Sequence, residues 1–343
     1  YSQAIHGQYQ IVARRQSIDS ILAKSSTPDR LRGQLELVLA LREFAATNLD
    51  LPVDGHYRTY VDLHRPYVVW SVQAAPTNSL QPKTWWYPLV GRLEYRGYFE
   101  EAQATNYAAV LRRQGYDVFV GGVEAYSTLG WFEDPVLNTF LDQPEPEVAE
   151  VLFHELAHQK LFAAGDTDFN EAFATTVGQE GARRWLAATG QTNLLARYET
   201  SLRRNRQFAQ LVLSARRTLE SAYGDTRDEN GKVRAAAHPP GPPERVAQEK
   251  QQILDQLRSD YATLRAGWNG SAGYDEWFGP GLNNAKLNSL ANYYELLPGF
   301  EELLELDAGN LDWFYGSVKL LAEMPKKERH AKLRALAAAA STP

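Results

Sequence analysis

The chain has 343 residues, 44% of them hydrophobic and 23% charged, which is the composition of a folded globular protein rather than a disordered one. Its formal net charge of −6, with no long Lys/Arg run, argues against nucleic acid as a main partner. Because the chain has no cysteine, disulfides, thiol nucleophiles and cysteine metal sites are excluded, and any metal must be held by His, Asp or Glu.

Residues 1–115 predict helices, then extended chain, then a further helix. Leucines recur near helical spacing over residues 17–48, with Arg and Glu on the other face. Prolines and the β-prone run at 67–70 indicate extended structure over residues 51–82. A further helix is predicted over residues 99–115, where a glycine can cap its C-terminal end.

The middle segment, residues 116–190, predicts a short edge strand followed by two helices. The strand is expected over residues 116–120, where side chains alternate in the manner of a strand. The first helix is predicted over residues 145–164, since Pro146 stands where a first-turn proline is harmless. The second helix should begin near Asp168.

Residues 191–343 predict a helical C-terminal part, interrupted by an exposed, Pro-rich excursion at 224–243. We expect helices over residues 191–221, 244–267 and 287–305. No apolar run approaches the roughly 18 residues that a membrane-spanning helix needs. The chain, residues 1–343, therefore predicts a mainly helical α+β protein with a small sheet in one compact unit.

Residues 154–158 read His-Glu-Leu-Ala-His inside a predicted helix. Residues four apart lie one turn above each other, so His154 and His158 can reach one metal ion. Glu155 is rotated by about 100° from His154 and can contact a water on the metal without binding the metal itself. Two histidines on one helix face are otherwise ordinary, partly buried polar residues, but the complete pattern favours a metal centre.

A catalytic zinc site needs a third protein ligand and an open fourth position. Glu171, on the next predicted helix, is the best candidate, because a short turn would fold that helix back against the first. Asp166 and Asp168 compete on chemistry, but both lie in the turn, where caps are expected. Glu180 lies about half a helical turn around from Glu171, so its side chain would face the opposite side of the helix. We therefore predict one Zn²⁺ per chain, held by His154, His158 and Glu171.

This arrangement predicts metal-assisted hydrolysis of a peptide bond. Glu155 would act as the general base, taking a proton from the attacking water and later passing it to the leaving amine. A further donor should stabilise the oxyanion. Tyr293 and Tyr126 are the leading candidates among the 18 tyrosines, although most buried tyrosines only pack and make one hydrogen bond.

Two glycines and two asparagines are candidate substrate-binding residues. Gly121 and Gly122 follow the predicted strand and would let an extended substrate approach the strand edge, or they form a plain turn. Asn283 and Asn284 either contact substrate or cap the helix that follows them, and the cap is favoured.

The predicted metal ligands resemble those of the gluzincins, which combine HExxH with a downstream Glu. Residues 170–175, Asn-Glu-Ala-Phe-Ala-Thr, are similar to the NEGFAT stretch of the large zinc aminopeptidases, although the gap after HExxH is shorter here. The resemblance implies a zincin-like fold. Gly122-Val123-Glu124 resembles the Gly-x-x-Glu of those enzymes, with a spacing one residue short. It makes Glu124 a candidate for binding the substrate amine, although surface glutamates are commonplace.

Nearly the whole chain also resembles the bacterial Aminopep family of zinc aminopeptidases. The segments that carry this resemblance are 95–99, 121–123, 125–132, 134–135, 153–159, 166–175 and 283–287. It implies aminopeptidase activity on a peptide substrate. The family often carries cysteines near the positions of Trp86 and Arg92, which this chain lacks.

The same resemblance implies a lipoprotein of the bacterial periplasm or outer membrane. Contact with the membrane would be only through a lipid-bearing Cys that precedes the segment beginning at Tyr1 and is absent from this chain. The sequence has neither an initiator Met nor a signal-peptide core, which we expect where a leader has been removed or left out.

Removal of an N-terminal residue from a peptide is the leading function. An endopeptidase or a cell-wall peptide amidase would use the same mechanism. A binding lipoprotein without turnover is the alternative from another class, and the intact Glu155 argues against it.

Overall fold

The structure, a computed structural model, describes residue 11 and residues 13–87, 91–124, 133–228, 231–238, 240–268, 273–279 and 281–340. It is mainly helical with small sheets, so the predicted α+β class is confirmed. Among the described residues, no helix is both long and apolar enough to cross a membrane. The chain divides into two compact units, the first comprising Tyr1–Trp70, Gly122–Glu199 and Leu296–Pro343, and the second Ser71–Gly121 and Thr200–Glu295.

The described residues form thirteen helices. In chain order they are α1 (Ile18–Leu22), α2 (Asp29–Asn48), α3 (Glu101–Arg113), α4 (Asn138–Leu141), α5 (Glu145–Lys160), α6 (Thr167–Ala188), α7 (Thr192–Tyr223), α8 (Pro243–Gly267), α9 (Asp275–Phe278), α10 (Asn284–Tyr294), α11 (Leu297–Leu306), α12 (Leu311–Glu323) and α13 (Lys326–Ala340).

The strands are short and form four small sheets. They are β1 (Gln16–Ser17), β2 (Thr59–Val61), β3 (Val69–Pro76), β4 (Trp85–Tyr87), β5 (Gly91–Leu93), β6 (Arg96–Tyr98), β7 (Tyr116–Val123), β8 (Val136–Leu137), β9 (Thr226–Arg227) and β10 (Val233–Arg234). In the sheet β1-β2-β8, β1 runs antiparallel and β8 parallel to β2. The other sheets are β6-β3-β7, the antiparallel pair β4-β5 and the antiparallel pair β9-β10.

The first unit is built around the close packing of α5 against α6. A Cβ added at Gly178 of α6 would lie 2.8 Å from the Glu150 carbonyl oxygen and 3.2 Å from the His154 Cβ. Only a glycine therefore lets the two helices approach this closely. Behind them, the buried ring of Phe169 lies 5.0 Å from that of Phe300, between centroids.

Helix α5 ends at Lys160, four residues before the predicted end, and Leu161 is extended. The reason is the buried side chain of Asn170, which accepts from the Ala163 N–H at 2.8 Å and donates to the Ala163 carbonyl at 2.9 Å. The Asn170 side chain thus forms hydrogen bonds with the backbone N–H and carbonyl of Ala163, which another helical turn would have paired within the helix. The connection between the two helices is thereby fixed.

The fully buried carboxylate of Asp166 anchors α13 to the start of α6. Its oxygens lie 2.8 Å from the Lys326 Nζ, 3.3 Å from the Arg329 Nε and 2.9 Å from the His330 Nε2. Asp166 occupies the N-cap position of α6 but makes no side-chain cap hydrogen bond, because its oxygens face α13 instead. The expected cap is therefore replaced by a tertiary ion pair.

The predicted helix over residues 287–305 is two helices, α10 and α11. Pro298 lies in the first turn of α11. Proline donates no backbone hydrogen bond, and its ring clashes with the carbonyl of the residue four positions earlier, Tyr294, which is where α10 ends. The periodic apolar pattern therefore does not form one continuous helix.

The second unit has its own aromatic core between α7, α8 and α9. Tyr261 and Phe278 stack with ring centroids 4.0 Å apart, and Phe208 and Tyr274 stack at 3.9 Å. The hairpin β9-β10 lies in the predicted Pro-rich excursion, where Val233 is buried against this core.

Candidate metal centre

Helices α5 and α6 bring two imidazoles and a carboxylate together. The Nε2 atoms of His154 and His158 are 3.2 Å apart. The Glu171 carboxylate places Oε2 at 3.4 Å from the His154 Nε2 and Oε1 at 3.8 Å from the His158 Nε2. The side chains are largely buried, with exposed fractions of 17% for His154, 7% for His158 and 22% for Glu171.

These separations fit one metal ion with tetrahedral geometry. Zinc binds His nitrogen and carboxylate oxygen at about 2.0–2.2 Å, which puts neighbouring ligand atoms about 3.3–3.6 Å apart. The three side chains are thus a group that could hold a metal ion. Three protein ligands leave one tetrahedral position for water or substrate, which is the arrangement of catalytic rather than structural sites.

The electrostatics of the group favour neutral imidazole at His158. Burial, followed by the charge of His154, lowers the pKa of His158 to about 4. Burial also opposes the charge on His154, but the hydrogen bond and charge of Glu171 outweigh it and raise the pKa of His154. The two histidines therefore do not both hold an extra proton near neutral pH, and a neutral imidazole nitrogen is the form that binds metals.

Glu155 stands beside this group and has a strongly perturbed carboxyl. Burial, opposed by the charge of His154 and assisted by the charges of Glu171 and Asp134, raises its pKa to about 7. Its carboxylate makes no hydrogen bond or ion pair with the described part of the chain. A carboxyl that titrates near neutrality and has free oxygens can both take up and release a proton there.

This perturbed carboxyl predicts that Glu155→Gln stabilises the metal-free protein at pH 8. The unfolded chain ionises Glu155 near the usual 4.5, whereas the folded protein holds the proton up to about 7. The folded state thus binds more protons between these values, and stability is lost as the pH rises through them. At about 1.4 kcal/mol per pKa unit, the loss is about 3 kcal/mol.

The amide of the Glu155→Gln variant cannot ionise and avoids that loss. Urea unfolding of both metal-free proteins at pH 5 and pH 8 measures the effect. The free-energy difference between variant and wild type should widen from pH 5 to pH 8. An equal difference at both pH values would contradict the assignment of the raised pKa to Glu155.

A second acidic group, made of Asp166, Asp168 and His330, also has the spacing of metal ligands. Burial opposes the charge of Asp166, but hydrogen bonds from His330 and Lys326 outweigh it and lower the pKa of Asp166. The Lys326 ammonium also lies 3.8 Å from Asp168. Because protein cations already pair with these carboxylates, the group anchors α13 to the start of α6.

Gly121, Gly122 and Glu124 all have neighbours within the fold. A Cβ at Gly122 would lie 2.3 Å from the Tyr67 ring, and one at Gly121 would lie 2.9 Å from the Phe119 ring. Both glycines thus make room for aromatic rings. Glu124 accepts a hydrogen bond from the side chain of Gln143, and burial raises its pKa. Their roles in substrate binding stay predictions.

The asparagines and Tyr293 belong to the second unit, where Asn283 caps α10 as favoured by the sequence. Its side chain accepts from the Lys286 N–H at 3.0 Å. The fully buried Asn284 donates to the carbonyls of Pro76 and Ser79 and accepts from the Tyr223 hydroxyl. Tyr293 is 43% exposed, and its predicted role stays a prediction. Tyr126 lies outside the described residues.

Sequence reasoning missed two side chains that lie near Glu155. Asp134 is 4% exposed and its charge acts on Glu155, while Tyr57 is 3% exposed and is acted on by the charge of Glu155. The Tyr57 N–H donates to the Asp134 carbonyl at 2.7 Å. No local motif marks Tyr57, because a loop distant in sequence from α5 places it. Asp134-Pro135 is one of the segments that carry the family resemblance, and that was the sequence feature that pointed to Asp134.

The model of the Aminopep family, described as "Putative aminopeptidase", matches residues 1–333. No curated protein and no solved structure matches the chain significantly. The match spans nearly the full length, including both helices of the candidate metal centre, and the chain therefore belongs to the Aminopep family.

Proposed function

We propose that this protein is a zinc-dependent aminopeptidase. The observation that carries the proposal is the meeting of His154, His158 and Glu171 within ligand distance of one ion, with the carboxyl of Glu155 beside them. Family membership supports a peptidase that acts at an N-terminus. The packing of an HExxH helix against a helix that carries the third ligand supports a zincin-like fold.

The donor set favours zinc among the common metals. Two imidazoles and one carboxylate are the ligands of catalytic zinc sites in several peptidases. Magnesium and calcium prefer all-oxygen sites, and the chain contains no cysteine that would favour softer ions. When bound here, zinc would act as a Lewis acid toward water and the peptide carbonyl.

The residues of the chain account for the remaining steps. Glu155 takes a proton from the attacking water as the oxygen approaches the peptide carbon, and then gives that proton to the leaving amine. A pKa near 7 suits both transfers, because the carboxylate is basic enough to accept the proton and acidic enough to release it.

The proposal is tested with a mixed peptide library presented in two forms, with free and with acetylated N-termini. We expect the zinc-loaded protein to shorten the free peptides one residue at a time from the N-terminus, as followed by mass spectrometry. The acetylated peptides should remain intact. A chelator should abolish cleavage, and added zinc should restore it.

Each of the other outcomes identifies a different function. Internal cleavage of acetylated peptides would identify an endopeptidase, and release of amines from cell-wall peptides alone would identify an amidase. A protein that holds one zinc per chain and cleaves none of these substrates would overturn the proposed hydrolase function.

A further inference from the structure

The segment that precedes β2 contains several strained residues. Asp50, Asp54 and Tyr57 all have positive φ angles, of 50°, 23° and 57°. Left-handed backbone is uncommon for residues other than glycine, and least expected for a bulky side chain such as that of Tyr57. Such conformations persist only where the surroundings enforce them, and they cluster at functional sites.

Hydrogen bonds on both sides enforce the conformation of this segment. Arg42 of α2 donates through Nε to the His56 carbonyl at 2.8 Å and through Nη2 to the Asp54 carbonyl. On the other side, Tyr57 donates its N–H to the Asp134 carbonyl at 2.7 Å, and the Asp134 N–H donates to the His56 Nδ1 at 3.0 Å. The backbone of Tyr57 is therefore held in place from two directions.

The Tyr57 side chain is buried, yet its hydroxyl has no hydrogen-bond partner among the residues that the structure describes. Buried tyrosine hydroxyls usually find one. Tyr198 donates to the Glu150 Oε2 at 2.7 Å, and Tyr315 donates to the Leu49 carbonyl at 2.8 Å. The Tyr57 residue is 3% exposed, yet its unpartnered hydroxyl is open to solvent and not sealed inside the core, so a ligand can supply the acceptor.

The surroundings also keep this hydroxyl protonated. Burial, followed by the charges of Glu155 and then Asp134, raises the pKa of Tyr57 well above its ordinary value. The phenol is therefore a neutral donor at every physiological pH. Glu155, the carboxyl that handles the proton in the proposed reaction, exerts the larger of the two charge effects that raise the pKa of this phenol.

We propose that Tyr57 is a catalytic residue whose hydroxyl donates a hydrogen bond to the substrate carbonyl oxygen as that oxygen gains negative charge. No proton is transferred in this step, because the phenol keeps its hydrogen and only stabilises the oxyanion. The role rests on the proposed peptidase function. It replaces the sequence-based candidates Tyr293 and Tyr126 with a residue from the first unit.

The test is Tyr57→Phe, which removes one oxygen and keeps the ring that fills the space. Loss of a single oxyanion donor typically lowers kcat by about 10²–10³-fold. We expect a fall of that size with KM within about twofold of wild type and one zinc retained per chain. The matched control is Tyr60→Phe, since Tyr60 is also buried but its charge neighbours are Asp62 and Asp142. This control should keep wild-type kcat.

Inhibitor binding gives a second readout that does not depend on turnover. A phosphinic peptide carries a tetrahedral oxyanion that imitates the transition state, whereas a product peptide does not. Calorimetry should show that Tyr57→Phe lowers the affinity for the phosphinic peptide by about 10²–10³-fold and leaves the affinity for the product peptide unchanged.

The outcomes separate the two proposals. If wild type and Tyr57→Phe cleave peptides equally well, the role of Tyr57 is overturned and the proposed peptidase function stands. A variant that loses zinc, or that melts more than about 5 °C below wild type, assigns Tyr57 to the structure and also overturns that role. Zinc-loaded wild type that cleaves no peptide overturns the proposed function, and the role of Tyr57 with it.

Discussion

Glu155→Gln is expected to reduce peptide turnover by about 10²–10⁴-fold, the range that a positioned general acid and base contributes. The amide has nearly the shape of the carboxyl but cannot take up or deliver the proton. Because Glu155 is not among the three candidate metal ligands, zinc should remain at one per chain. Initial rates and metal analysis on the same preparation measure the two effects.

The matched control for this variant is Glu147→Gln. Glu147 belongs to the same helix, and burial raises its pKa too, but it lies in the first turn, two turns away from the metal group. It should keep wild-type activity. Retention of more than about a tenth of the turnover in Glu155→Gln would exclude Glu155 as the base, because proton transfer would then have another source.

Glu171→Gln is expected to weaken zinc binding far more than it changes the fold. The variant removes the negative charge that offsets the ion and leaves two imidazoles as the only good ligands. Loss of an outer partner of a zinc ligand costs roughly 10–100-fold in affinity, so loss of a direct carboxylate ligand should cost more. Competition with a chromophoric chelator measures the zinc dissociation constant.

Asp168→Asn is the control that separates the rival ligands. Asp168 lies one turn before Glu171 in α6 and was the competing acid in the sequence. Its carboxylate lies 3.8 Å from the Lys326 Nζ, so its amide variant should bind zinc as wild type does. If instead Asp168→Asn loses zinc and Glu171→Gln keeps it, the ligand set proposed here is wrong.

The sequence predicted the grouping of His154, His158 and Glu171 because the features that bring these residues together are local. Spacing of four along one helix sets the relation of His154 to His158, and a short turn limits where Glu171 can lie. Proline and acidic residues in the first turn predicted the start of α5 correctly, at Glu145. Each of these features depends on neighbours within one or two helical turns.

The features that the sequence did not predict depend on contacts between distant segments. The end of α5 is set by Asn170, which binds Ala163 from the next helix. The position of Tyr57 is set by hydrogen bonds to Asp134, far along the chain. Residue spacing contains no information about such partners, so the prediction extended α5 and overlooked Tyr57.

The anchor between Asp166 and α13 has a consequence for shortened versions of the protein. A fragment that stops before Lys326 would contain every residue of the metal group, yet Asp166 would keep a buried negative charge without its partners. Removing one side of a buried ion pair costs about 3–5 kcal/mol, a large share of the stability of an ordinary domain. The smallest piece that preserves this group of residues therefore includes α13.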